Sequence, residues 1–200
     1  MQHYFIEKEH KASDYFEFDA IIRDIKLKFR SCDSIFSKNE VDAGTLTLLN
    51  TIFDKLELSG NGLDLGCGYG VIGISLIKVL GVNCDMIDVN GTAVELANHN
   101  LMLNGLRSGA RVFKSNGFEA VTDTYDFIVT NPPIKTGKKL LFELMDGSYN
   151  HLKVGGTLTL VIRKDHGEES LKKKLTELFG NCEILKRNKG YYILHSVRTE

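Results

Sequence analysis

Residues 61–80 read NGLDLGCGYGVIGISLIKVL: a short apolar run, glycines at positions 66, 68 and 70, then apolar residues without a break. A buried strand that passes into a helix through so small a turn opens a βαβ unit. The rest of the chain repeats the alternation. CDMIDV (84–89) reads as a second strand, and GTAVELANHNLMLNGL (91–106) as a helix with Val94, Ala97 and Leu101 on one side. ARVFKS (110–115) and YDFIVT (125–130) are the next two strands, and KKLLFELMDGSYNHL (138–152) the next helix. Gly155-Gly156 is expected to turn the chain into strand TLTLVIR (157–163). EESLKKKLTELF (168–179) follows as a helix, stopped by Gly180-Asn181. CEILKR (182–187) and YYILHSV (191–197), joined by NKG, predict a hairpin that adds one antiparallel strand. The fold class is α/β with a mostly parallel sheet and helices on both faces.

Residues 1–40 differ. IKLKFR (25–30) alternates apolar and basic residues, and aromatics precede it. An N-terminal arm and one or two antiparallel strands are expected here, packed on a main domain over 41–200. That domain would begin with a helix carrying Leu46, Leu49, Ile52, Phe53 and Leu56 at helical spacing.

Composition excludes several classes. No apolar run nears the roughly 20 residues of a membrane span, and the N-terminal MQHYFIEKEHK lacks the apolar core of a signal peptide. Cys32, Cys67, Cys84 and Cys182 form no CxxC pair, and the six histidines show no ligand spacing, so no metal is expected. Reduced thiols and a cytoplasmic location follow, with a monomer or homodimer as the expected state. The net charge of −1 argues against a nucleic-acid coat protein. The C-terminal third nonetheless gathers Lys135, Lys138, Lys139, Lys153, Arg163, Lys164, Lys172–Lys174, Lys186, Arg187 and Lys189. That bias permits one face to attract a polyanion, although Lys172–Lys174 also reads as a solvated helix face.

In open α/β sheets, ligands bind beyond the carboxyl ends of the strands. That rule places the Gly66–Gly70 turn, Asp88, Asn116 and Asn131 on one rim. Two cofactor classes suit the turn. Gly68-Tyr69-Gly70-Val71-Ile72-Gly73 matches GxGxxG, and Asp88 lies at the end of the next strand, as in a nicotinamide dinucleotide site. Asp64-Leu65-Gly66-Cys67-Gly68-Tyr69-Gly70 also matches the D-x-G-x-G-x-G turn that holds S-adenosylmethionine. A pyrophosphate wants backbone N–H groups and a helix N-terminus, and a carboxylate at the loop mouth repels it. The sulfonium and ammonium of S-adenosylmethionine are cationic, so Asp64 favours the methyl donor. Asp88 accepts from ribose hydroxyls in either case. Asn116 suits an adenine edge, with Gly117 or Phe118 against the ring; an ordinary Asn-Gly turn explains it equally well.

The fourth strand ends in TNPPIKTGKK, which holds both prolines of the chain. An exocyclic amine conjugated to a ring must pyramidalise before it attacks a methyl group. The Asn131 amide oxygen and the Pro132 carbonyl supply two acceptors for its N–H bonds, and Pro133 holds Pro132 extended. Acceptors fixed in advance favour the charge that develops on nitrogen.

DLGCGYGVIGI, DVN, SNGFE and TNPPI, in that order, resemble class I S-adenosylmethionine-dependent methyltransferases with an NPP motif. SIFSKNEVDAGT and NPPIKTGKK narrow the similarity to the RsmC-like "methyltransferase small domain" group, which methylates guanine N2 of small-subunit ribosomal RNA. The resemblance implies a Rossmann-like, seven-stranded sheet, methyl transfer to an exocyclic amine, and ribosomal RNA or a ribosomal subunit as partner. It implies cofactor contacts from Asp64, Gly66, Cys67, Gly68, Gly70, Asp88, Val89, Asn116, Gly117, Phe118 and Asn131. Phe36, Ser37 and Asp42–Gly44 are expected nearby. Asn131, Pro132, Pro133 and Ile134 would form the catalytic turn, with Phe36, Ile134 and Lys135 toward the substrate. Many NPP enzymes place an aromatic where this chain has Ile134, so base stacking is assigned to Phe36. The longer bacterial members also carry an additional N-terminal domain. Three other readings remain: a protein glutamine-amide methyltransferase, a nicotinamide-dependent oxidoreductase, and a non-catalytic ribosome assembly factor.

Overall fold

The parallel strands bury successive apolar residues, Met86-Ile87 and Phe127-Ile128-Val129, as strands covered on both faces do. In the computed structural model, which describes residues 14–33, 35, 40–106, 108–133 and 137–200, they form the centre of a seven-stranded sheet. Its members are β3 (Asn61–Leu65), β4 (Asn83–Asp88), β5 (Val112–Lys114), β6 (Tyr125–Thr130), β7 (Leu152–Arg163), β8 (Glu183–Asn188) and β9 (Tyr191–Val197), in the order β5-β4-β3-β6-β7-β9-β8. All neighbours are parallel except β9, which runs antiparallel to both β7 and β8. The expected hairpin therefore supplies the single reversed strand. Lys189 and Gly190 make its turn, both at positive φ (46° and 83°), which matches the twist of the strands they join.

Successive β6 side chains point to opposite faces. Phe127 and Val129 join the core formed with α1 (Ala43–Lys55), α2 (Val71–Leu80) and α3 (Gly91–Leu103). Ile128 joins the core formed with α4 (Lys138–His151) and α5 (Glu168–Phe179). Helices thus cover both faces. Among the described residues no helix is long and apolar enough to cross a membrane.

Three sequence expectations need correction. β7 starts at Leu152 rather than after Gly155-Gly156. The glycine pair lies within the strand, where Gly155 N–H donates to Arg198 O (2.7 Å) and Arg198 N–H to Gly156 O (2.8 Å), and the β6–β7 register slips beside it. In α1 the buried face includes Thr45, Thr47 and Thr51, while Leu46 and Phe53 are only half-buried. The Thr47 and Thr51 hydroxyls donate to the carbonyls one turn back, at 2.7 Å each, which hides their polarity inside the helix. In α3, Val94 is half-buried and Asn100 is fully buried.

β1 (Tyr15–Ile22) and β2 (Ile25–Cys32) form a separate antiparallel pair. Ile22, Leu27 and Phe29 pack into the same core as α1–α3. Two asparagines one turn apart on α3 hold this hairpin by acting as a surrogate strand. Asn100 accepts from Arg30 N–H (2.7 Å) and donates to Arg30 O (2.9 Å). Asn104 does the same for Lys28, at 3.0 and 2.7 Å. Asn100 also donates to Tyr69 O (2.8 Å) in the glycine turn.

Candidate active site

After β3 the chain goes outward to β4 and β5, then returns to β6 on the other side of β3. The carboxyl ends of β3 and β6 therefore flank the switch point, where open α/β sheets bind ligands. The glycine turn leaves one of these ends and Asn131 leaves the other. Thr130, the residue before Asn131, joins them: its buried hydroxyl donates to Leu65 O at 2.7 Å.

Gly66 and Gly68 sit at φ +73° and +54°, a region open to glycine without strain. Among the described residues, a methyl group at Gly66 would meet nothing within 4 Å, and one at Gly68 only Ile35 Cγ2 at 3.9 Å. The turn therefore presents open backbone that a ligand can approach closely. The same methyl at Gly73 would lie 2.7 Å from Met86, so this third glycine of the GxGxxG match serves the packing of α2 on β4. The Gly66 and Cys67 N–H groups both donate to Ile87 O at 2.9 Å. Cys67 is buried, and burial raises its thiol pKa well above the ordinary value.

Asp88 is tied to the turn. Its Oδ2 accepts from Gly68 N–H and its Oδ1 from Asn90 N–H, both at 2.9 Å. Burial raises its pKa against the lowering effect of backbone bonds from Asn90, Gly68 and Val89. Three of the carboxylate's four lone-pair sites are thus used, which leaves one for a hydroxyl donor.

Asp64 does not stand at the loop mouth, as the sequence reading has it. It is fully buried beneath the turn, where its Oδ2 accepts from Gly73 N–H at 2.8 Å in the first turn of α2. The reason is helical: α2 begins at a glycine with no side-chain cap, and a carboxylate satisfies an orphan donor there. The same bond occupies a donor that a pyrophosphate would use, which counts against a dinucleotide. The other oxygen, Oδ1, is buried with no partner among the described residues. Burial, reinforced by nearby Asp88, raises the Asp64 pKa to about 7. A buried carboxyl with one unsatisfied oxygen suits a cation placed beside it.

At the β5 end, Ser115 N–H donates to Asp88 O at 2.9 Å, which ties this strand end to β4. Asn116 is exposed, and its amide donates to Glu119 Oε1 (2.9 Å) within the local turn. The Phe118 ring is committed to α4: it stacks on His151 at 4.6 Å and 18° and packs against Gly147. An adenine face would therefore fall to Gly117 rather than to Phe118.

Asn131 is half-buried, Pro132 buried and Pro133 exposed. The Asn131 Nδ2 donates to Thr45 Oγ1 (3.0 Å) and Asp42 Oδ1 (3.5 Å). Asp42 caps α1 with the same oxygen, accepting from Thr45 N–H at 2.9 Å. Phe36, Ser37, Ile134 and Lys135 lie outside the described residues. The supporting residues Thr45, Thr130 and Asn100 escape the sequence reading. The only trace they leave is polarity at positions where the surrounding pattern demands apolar side chains. Among the described residues, no group of three or more His, Cys, Asp or Glu could hold a metal ion.

The basic C-terminal residues do not form one uniform face. A groove of about 580 Å³ between α5 and the β8–β9 edge sets Lys164, Lys172, Lys173 and Arg187 among Glu168, Glu169 and Glu177. It shares no lining residue with the glycine turn. Lys153, Lys173 and Lys174 pair with Asp126, Glu177 and Asp146.

Comparison with known proteins agrees with this architecture. The family model described as "Methyltransferase small domain" matches residues 26–195. The chain is 39% identical to the uncharacterized protein YbxB of Bacillus subtilis (strain 168), over 96% of each chain. It is 36% identical to the ribosomal RNA small subunit methyltransferase C of Haemophilus influenzae (strain 86-028NP), over 86% of this chain and 51% of that relative. A solved structure of the T. thermophilus 16S rRNA N2 G1207 methyltransferase (RsmC), in complex with AdoMet and guanosine, superposes with a TM-score of 0.84. That match has 27% identity and covers 92% of this chain and 50% of that one. The chain thus spans about half the length of the ribosomal RNA methyltransferases it matches. With a family model over residues 26–195 and a relative 39% identical over 96% of the chain, this chain belongs to the methyltransferase small domain family.

Proposed function

We propose that this chain binds S-adenosylmethionine and methylates the exocyclic amine of a guanine in small-subunit ribosomal RNA. One observation carries the reading. Thr45 and Asp42 both take the nitrogen of the Asn131 amide, and among the described residues nothing donates to its oxygen. That oxygen is left as an acceptor beside the switch point. The solved T. thermophilus relative, with AdoMet and guanosine, supplies the substrate class.

The residues present fit the cofactor. Gly66 and Gly68 offer open backbone and Asp88 a ribose acceptor, and Asp64, buried beneath the turn, favours a cationic amino-acid end through its charge. When bound, the cofactor supplies an electrophilic methyl group on a cationic sulfur. The chain's own part is orientation. Asn131 Oδ1 and the Pro132 carbonyl would accept hydrogen bonds from the two amine N–H groups and hold the nitrogen lone pair toward the methyl group, and the alkylated nitrogen then gives up its proton to solvent. No strong base is required, because the amine becomes acidic only once it is alkylated.

The test is methyl incorporation from labelled S-adenosylmethionine into 16S ribosomal RNA and into 30S subunits, followed by nucleoside analysis. N2-methylguanosine is expected, and Asn131→Ala should abolish it. A chain that binds S-adenosylmethionine yet labels only protein would overturn the substrate assignment. Binding of a nicotinamide dinucleotide instead would overturn the class.

A further inference from the structure

We propose that Thr45 and Asp42, in the cap and first turn of α1, are positioning residues that fix which way the Asn131 amide faces. The inference rests on the function proposed above and adds residues outside the NPP turn.

An asparagine amide has two nearly isosteric orientations, and only one offers oxygen to an incoming amine. Its neighbours must choose between them. At this site Asp42 makes the choice, since a carboxylate oxygen only accepts, and the Thr45 hydroxyl, which can donate or accept, follows it. The Asp42 carboxylate has no proton to give when ionised, and its Oδ1 lies 3.5 Å from Asn131 Nδ2. Thr45 Oγ1 lies 3.0 Å from the same nitrogen. Turning the amide over would set its oxygen against the Asp42 oxygen, which is repulsive. Asp42 itself cannot swing away, since its Oδ1 also holds Thr45 N–H at 2.9 Å. Thr45 is only 2% exposed, so water does not substitute for it. On the other side, Thr130 ties the start of the NPP turn to Leu65. The amide is thus held from two elements, and its orientation is set before any substrate arrives.

Substitutions can separate orientation from folding. Asp42→Asn keeps the helix cap, because Asn caps as well as Asp. It weakens the bias, since the capping oxygen still faces Asn131 but no longer carries a charge. Thr45→Val removes the acceptor at constant shape, and Thr45→Ser restores it. The readouts are kcat and KM for methyl transfer to 16S RNA, S-adenosylmethionine Kd by calorimetry, and the Asn131 side-chain NH₂ resonances in a ¹H–¹⁵N spectrum. Asn131→Asp identifies those resonances. We expect Thr45→Val to lower kcat about tenfold and Asp42→Asn to lower it less, with cofactor Kd and melting temperature unchanged. Thr45→Ser should recover kcat, and the NH₂ resonances should shift in Thr45→Val but not in Thr45→Ser. Unchanged kcat in both Asp42→Asn and Thr45→Val, or unchanged NH₂ resonances in Thr45→Val, would overturn the proposal. So would a rise in cofactor Kd that accounts for the whole loss. A wild-type chain inert on RNA would refute the proposed substrate instead, and the resonances would then decide the orientation.

Discussion

Asp64 offers a test in which stability and binding move in opposite directions. Its carboxyl is fully buried, and burial raises its pKa from 3.8 to about 7. The folded chain therefore keeps this proton up to about neutrality, whereas the unfolded chain releases it near the ordinary 3.8. Between those values the native state binds more protons, so stability falls as pH rises, and the loss is complete above the folded pKa. At about 1.4 kcal/mol for each pH unit, the full penalty approaches ~4 kcal/mol. Asp64→Asn cannot ionise but keeps an acceptor for Gly73 N–H. Relative to wild type, the variant should gain about 3 kcal/mol between about pH 5 and pH 8, and no more beyond. Urea unfolding across that range measures it. Cofactor affinity should go the other way. A cation beside Asp64 draws the proton off, so wild-type affinity for S-adenosylmethionine should rise toward neutral pH. Loss of that charge in Asp64→Asn should weaken binding about tenfold. Parallel stability curves for the two proteins, or equal cofactor affinity at alkaline pH, would refute the argument. Asp64 would then be a helix cap and nothing more.

Three further outcomes are expected. Thr130→Val leaves Leu65 O without its 2.7 Å donor in the core; it should cost about 1–3 kcal/mol, read as a lower urea midpoint at constant m-value, and should slow methyl transfer as the two strand ends lose their tether. Asn100→Ala removes two bonds to Arg30 and one to Tyr69; a loss of about 2–4 kcal/mol is expected, with faster hydrogen exchange at the Arg30 amide than in the central strands. Gly44→Ala would place a methyl 2.8 Å from Tyr191 Cε1 and 3.0 Å from Asp42 Oδ1. It should cost about 1–3 kcal/mol and lower kcat through Asp42, and an unchanged kcat would break that link.

The outline of the fold is written in local pattern. Strand and helix differ in period, and the Lys189-Gly190 turn and Gly180 carry their own backbone chemistry. The chain's two most specific turns, DLGCGYG and TNPP, are contiguous, so their residue types could be read without knowing what surrounds them. The three-residue β5 and the glycine pair inside β7 depend on a neighbouring strand's register, which no local window contains.

The supports of the site were decided by tertiary structure. Thr45 and Asn131 are 86 positions apart, and Thr130 and Leu65 are 65 apart. Asp64 shows the same division within a motif. Its identity was legible in the sequence. Its burial under the turn, and the unsatisfied oxygen that makes it reactive to charge, arise only when α2 closes on β4. Hydrophobic period is a property of neighbours along the chain, whereas a hydrogen bond between distant side chains exists only once the sheet order has brought them together.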